Sequence, residues 1–107
     1  VPLMRLPGQS WWARQLVIEG PSMLPTLLPG ETVPAFRRWR RPRVGDVVGL
    51  RDPRDPTRIL VKRVTKVAAS TVEVQGDNAE FSEDSRLFGP VSRRDVLWRV
   101  PPSALRG

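Results

Sequence analysis

Twelve prolines and eight glycines are spread through 107 residues, and that distribution limits what the chain can build. A proline inside a helix removes a backbone hydrogen bond and clashes with the preceding turn. Helical content is therefore expected to be low, with most connections made by turns. The length is that of one domain with one modest core. What remains is a mainly β architecture: short strands and hairpins in a small folded-over sheet or partly open barrel, with little helix.

Strand signals fit that frame. Gln15–Glu19 is apolar, β-branched and closed by Gly20-Pro21. Residues 20–30 carry Pro21, Pro25, Pro29 and Gly30 and should be turns. Glu31–Phe36 reads as a short strand that Pro34 confines to an edge or a bulge. Val44–Leu50 is a turn feeding a strand, and Asp52–Pro56 turns it into a hairpin with Ile59–Val67, which pairs in turn with Thr71–Gln75. The segment from Gly76 to Pro90 reads as a long polar loop. Ser92-Arg93-Arg94-Asp95 resembles a capping box opening one helical turn before a last strand, Val96–Val100. Residues 1–13 are expected to form a loose leader or membrane-proximal segment, and residues 14–107 a single catalytic domain.

Two absences narrow the chemistry. With no cysteine and no histidine there are no disulfides, no thiolate and no zinc site of the His/Cys kind. Catalysis by Ser-His-Asp or Cys-His is excluded as well. Acid–base work must come from Lys, Asp or Glu, and neither cofactor nor metal is expected.

Against sixteen arginines the chain has two lysines, and one of them, Lys62, sits in the apolar stretch Ile59-Leu60-Val61-Lys62-Arg63-Val64. Arginine stays protonated at any useful pH, whereas a lysine stripped of water can become a base. Its amine, with a pKa of about 10.4 in water, must be lowered by burial to do so. Strand alternation puts Leu60 and Val64 on the face of Lys62, so apolar groups flank the amine. Lys66 is expected on that face too, near the strand end. The plainer reading of Lys62 is a surface lysine on an edge strand. For Ser22, after the Gly20-Pro21 turn, the plainer reading is a turn serine bonding its own backbone.

Four segments in order, Ser22-Met23-x-Pro25-Thr26, Gly45-Asp46-Val47-Val48, Val61-Lys62-Arg63 and Gly76-Asp77-Asn78-x3-Ser82-x-Asp84-Ser85-Arg86, resemble the motifs of the type I signal peptidases. The likeness runs from about Val17 to Val100. It implies a β-rich serine endopeptidase with Ser22 as nucleophile, Lys62 as general base and the Ser22 N–H helping to hold the oxyanion. By the same resemblance Ser82 orients the Lys62 amine, Asp84 and Arg86 pair to brace their loop, and Asp77-Asn78 shape the turn beneath the site. A serine two residues before the nucleophile supplies a further donor in some members; here that position is Gly20. The resemblance also implies that a precursor or leader peptide binds as an extended strand between Gln15–Gly20 and Ile59–Val61. Ile18, Met23, Leu24, Leu60 and Val61 are candidates to line its pockets, and equally to be ordinary core. The short stretch between Lys62 and Gly76 is similar to the minimal branch of the family, which includes the proteases that mature nickel superoxide dismutase.

Other readings stay open. A LexA-like self-cleaving core shares the Ser/Lys pair but needs a cleavable segment and a DNA-binding domain upstream. A non-catalytic basic β module would use the net charge of +7 on anionic lipid or nucleic acid. Its surface would be Arg37–Arg43, with Trp39 inside it, and Trp11-Trp12 as an interfacial anchor; packing of the N-terminus onto the sheet is the plainer reading of the two tryptophans, a solvated loop is the simpler account of the arginines, and nucleic acid is the least favoured partner. No apolar run approaches the ~20 residues of a membrane span. Leu3–Gln15 is broken by Pro7, Gly8 and Arg14, so no signal-peptide pattern appears. The chain is expected to be soluble as given, or membrane-associated if an upstream anchor has been removed.

Overall fold

The computed structural model describes residues 11–37 and 40–106. Seven strands form one open antiparallel sheet: β1 (Ala13–Val17), β2 (Thr32–Arg37), β3 (Val47–Asp52), β4 (Asp55–Val67), β5 (Thr71–Gln75), β6 (Val91–Ser92) and β7 (Val96–Val100). Their spatial order is β1-β2-β7-β3-β4-β5-β6. The one α-helical turn among the described residues, α1 (Ser85–Phe88), lies in the segment expected to be a plain loop. It forms because Asp84 caps it, its carboxylate accepting from the Arg86 N–H. The two-residue β6 is too short to leave a periodic signal in sequence, yet it pairs with β5 through Val72 and Val91. β1 begins two residues earlier than expected. Residues 1–10 of the expected leader, and Arg38 and Trp39 of the basic loop, lie outside the described residues.

The sheet carries a core on each face. Val47 of β3 packs with Ile18, Met23, Leu27, Val33, Ala35, Trp98 and Val100. Its neighbours Val48 and Leu50 pack with Leu60, Val64, Val72, Val74, Val91 and Val96. Successive side chains of a strand point to opposite faces, so these are two separate cores. β7 contributes to both because its register shifts by one residue, with Gly49 opposite Trp98 but Leu50 opposite Val96. One extra residue in a strand turns every following side chain over. Pro34 sits in β2 where that strand pairs only with β1; the pairing with β7 starts at Phe36.

The same kind of bulge corrects one expectation. Val64 lies opposite Val74 and Lys66 opposite Glu73, so Thr65 is the extra residue. Lys66 is thereby turned to the face opposite Lys62, where its amine sits 3.8 Å from the Glu73 carboxylate. Lys62 itself is directly across from Val48, between Leu60 and Val64. It emerges from the second core.

Candidate active site

The β4 strand delivers Lys62 almost fully buried, at 4% exposure. Its Nζ donates to Ser82 Oγ at 2.9 Å. Ser82 Oγ accepts a second bond from the Gly76 N–H at 3.1 Å and donates to Asp84 Oδ2 at 2.7 Å. A hydroxyl has one proton and two lone pairs, so this set saturates it. With the Ser82 proton committed to Asp84, Ser82 only accepts from the lysine. A neutral Lys62 amine held this way keeps its own lone pair for another partner.

Asp84 is fully buried. It takes bonds from Gly76 N (2.9 Å), Arg86 N (3.1 Å), Arg86 Nε (2.9 Å) and Arg86 Nη2, besides Ser82. Burial alone would raise its pKa, but the Arg86, Ser82 and backbone bonds outweigh burial and hold the carboxyl far below the usual carboxylate range. Burial is the dominant influence on Lys62 and pushes its pKa down. The negative charge of Asp84 partly opposes that shift.

Ser22 lies in the turns between β1 and β2. Met23, buried in the first core, anchors this segment, with Leu24 N donating to Pro21 O (3.1 Å) and Leu27 N to Met23 O (3.0 Å). Gly20 has φ +73°, a backbone conformation strained for a residue with a side chain, so glycine suits this turn. The Gly76-Asp77-Asn78 segment grips the serine from below. Asn78 N donates to the Ser22 carbonyl (2.9 Å) and Asn78 Nδ2 to the Pro21 carbonyl (3.0 Å). Gly76 is wedged so tightly that a Cβ there would fall 2.5 Å from the Ser22 carbonyl oxygen, 2.6 Å from Ser82 Cβ and closer still to Ser82 Oγ. The serine turn and the residue that holds the lysine thus close on the same backbone atom.

Asp77 ties three of the four sequence segments together. Its carboxylate takes two parallel bonds from Arg63, both 2.9 Å, and one from the Thr26 hydroxyl. Arg63 Nη1 reaches on to the Gly45 carbonyl at 2.8 Å, which brings in the fourth. Asp46, beside it, accepts a bidentate pair from Arg40 at 3.0 and 3.1 Å and so pins the end of the basic loop. Sequence reasoning names Thr26 and Arg63 only as motif positions and gives Gly76 no role of its own. Their adjacency to Ser22, Lys62 and Asp77 is the one signal that could have drawn them out.

Ser22, Lys62 and Ser82 line one open cleft of about 750 Å³. One wall is Leu16–Met23; the other is Thr57–Lys62 with Arg54; Glu80–Glu83 lie at the Ser82 side. Among the described residues both strand walls have unpaired edges. β1 is the outermost strand, and β4 pairs with β5 only from Arg63 onward. Of the predicted lining residues, Ile18, Gly20, Met23, Leu60 and Val61 border the cleft and Leu24 does not. Ile18, Met23 and Leu60 serve as core at the same time. Asp77, Asn78, Asp84 and Arg86 stand behind the cleft as supports.

A profile of the family described as signal peptidase, peptidase S26, matches residues 4–78, a segment that includes Ser22, Lys62 and Gly76-Asp77-Asn78. The chain belongs to that peptidase family. Among its relatives, mitochondrial ATP-independent inner membrane protease subunit 1b of Arabidopsis thaliana is 36% identical over 78% of this chain and 67% of that protein. Subunit 1a of the same plant is 38% identical, covering 69% of this chain and 60% of its own length. Mitochondrial inner membrane protease subunit 2 of Mus musculus is 32% identical over 79% of this chain and 66% of its own. The chain spans roughly two thirds or less of the length of the relatives it matches. Among the described residues no helix is long and apolar enough to cross a membrane, and no cluster of side chains could hold a metal ion.

Proposed function

We propose that the chain is a serine endopeptidase that removes leader peptides from precursor proteins, with Ser22 as nucleophile and Lys62 as general base. The observation that carries the reading is the buried Lys62 amine, fixed by Ser82 and Asp84 in the wall of a cleft that Ser22 shares. Neutral Lys62 takes the Ser22 proton as Oγ attacks the scissile carbonyl. The Ser22 N–H holds the oxyanion. The lysine returns its proton to the departing amine, leaving an acyl group on Ser22. A water that loses its proton to Lys62 then cleaves that ester. The precursor binds as an added strand along the edges of β1 and β4 that no described strand pairs, its backbone supplying affinity and the apolar lining selecting side chains. Superoxide dismutase precursors are one case within this substrate class.

An anionic membrane surface is the proposed resting place. Trp11 and Trp12 are exposed, Trp12 stacks on exposed Phe36 at 6.1 Å, and the Arg37 guanidinium lies 5.7 Å over Trp11. Aromatic rings beside arginines suit a lipid headgroup layer.

Ser22→Ala and Lys62→Ala, assayed separately on a leader peptide with Ala-x-Ala before the bond, test the enzyme. Both should abolish cleavage. Wild-type turnover in either variant removes the assignment.

A further inference from the structure

The β3–β4 turn reaches into the active-site wall through one side chain. Asp52, 1% exposed at the end of β3, accepts from Arg54 N at 2.9 Å and Nε at 3.1 Å on one oxygen, and from Arg54 Nη2 at 3.2 Å on the other. Arg58 adds a longer contact of 3.6 Å to the same carboxylate. The remaining Arg54 nitrogen, Nη1, donates to Glu83 at 2.6 Å, and the guanidinium lies 5.3 Å over the Phe88 ring of α1. Glu83 stands between Ser82 and Asp84, and Arg54, Glu83, Ser82 and Lys62 all line the cleft.

We propose that Arg54 is a positioning residue: with Glu83 it latches the β3–β4 turn to the Ser82 loop and sets the charge balance around the Lys62 amine. An exposed ion pair is ordinarily weak, because two mobile side chains must be ordered to form it. Here the buried Asp52 has already fixed the arginine, so reaching Glu83 orders only one partner. Lysine could not replace it, since only a planar fork satisfies both carboxylates and the ring at once. In catalytic terms the inference rests on the serine–lysine reading above.

The charged groups facing Lys62 are Asp84 and Glu83 from the Ser82 loop, Arg86 from α1, and Arg54 from the turn. Glu19, Arg58 and Glu80 line the same cleft. Burial dominates the state of the amine. Within the latch, the positive charge of Arg54 favours the neutral amine and the negative charge of Glu83 favours the protonated one. Removing one charge or the other must therefore act in opposite directions, whereas merely loosening the loop would act in one.

The chain has two lysines, so an NMR titration of 13Cε-labelled lysine gives two curves, and Lys66→Arg removes the exposed one and assigns the other. Arg54→Gln should move the Lys62 midpoint up, and Glu83→Gln should move it down. Arg54→Lys keeps the charge but loses the fork, so the midpoint should stay close to wild type while kcat/KM falls. The acid limb of kcat/KM should follow the same order. The proposal is overturned if Arg54→Gln and Glu83→Gln shift the midpoint in the same direction, or if neither shifts it. Glu83 is 68% exposed, so Glu83→Gln folds even if Arg54→Gln does not, and an unmoved midpoint in that variant is sufficient refutation. Failure of the peptidase reading shows elsewhere, as full cleavage by Ser22→Ala.

Discussion

Asp84→Asn isolates the support on which the candidate base depends. The wild-type carboxylate is fully buried and accepts five hydrogen bonds, three from Arg86 and one each from Ser82 and Gly76. Asparagine can keep one oxygen. If that oxygen stays with Arg86 N and Nε, the new amide group faces the Ser82 hydroxyl and the Gly76 N–H, donor against donor. Removing one member of a buried pair costs about 3–5 kcal/mol. Arg86 is 40% exposed and recovers some hydration, which brings the expected loss to about 3 kcal/mol. That is roughly a hundredfold in the folded-to-unfolded ratio, a large share of the stability of a small domain. Urea unfolding followed through the buried Trp98 measures it. The pH dependence adds a second check. Because the folded-state pKa of Asp84 is depressed, its contribution is fully present above the unfolded value near 3.9 and lost as pH falls through the folded one. The gap between wild type and Asp84→Asn should therefore be widest near neutrality and shrink in acid below about pH 4. A loss under about 1 kcal/mol, the worth of one ordinary hydrogen bond, would refute the reasoning.

Other outcomes follow from the same contacts. Gly76→Ala should lower kcat/KM at least about tenfold and cost about 1–3 kcal/mol, since its methyl group collides with the Ser22 carbonyl and with Ser82; cleavage assays and thermal melts check both. Activity should rise with pH along a limb lying below the ordinary lysine pKa, because burial lowers Lys62 and only its neutral form accepts a proton; a pH–rate profile reads the limb. The same depressed pKa makes Lys62 bind fewer protons folded than unfolded, so its cost to stability is largest below the folded pKa and fades as pH rises towards 10.5. Lys62→Met should accordingly melt higher than wild type near neutral pH, by on the order of 1 kcal/mol, while cutting no peptide.

The parts of this structure legible in the sequence are those written in local chemistry. Proline spacing limits helix, and the apolar runs mark the longer strands within a few residues. The flanking of Lys62 by Leu60 and Val64 follows from alternation and is present in β4. Alternation fails where a bulge interrupts it, which is why Lys66 faces away from Lys62 and why β7 serves two cores. A bulge has no composition signal of its own here; it appears only once the partner strand fixes the register. The Gly76–Pro90 segment hid a helical turn because the cap that forms it, Asp84, also holds Ser82 and Arg86. The Arg63–Asp77–Thr26 tie and the close approach at Gly76 depend on chain segments far apart in sequence. Pairing within a short motif can be read in one dimension, but a shared carboxylate between three motifs cannot.

The central claim is that Ser22 attacks a peptide carbonyl with Lys62 as its base, and a trapped intermediate tests it most directly. Turnover of a leader-peptide ester, quenched in acid and mapped by mass spectrometry, should show the acyl group on Ser22 in the wild type and none in Lys62→Ala. An unmodified Ser22 while product accumulates, or the same adduct in Lys62→Ala, would contradict it.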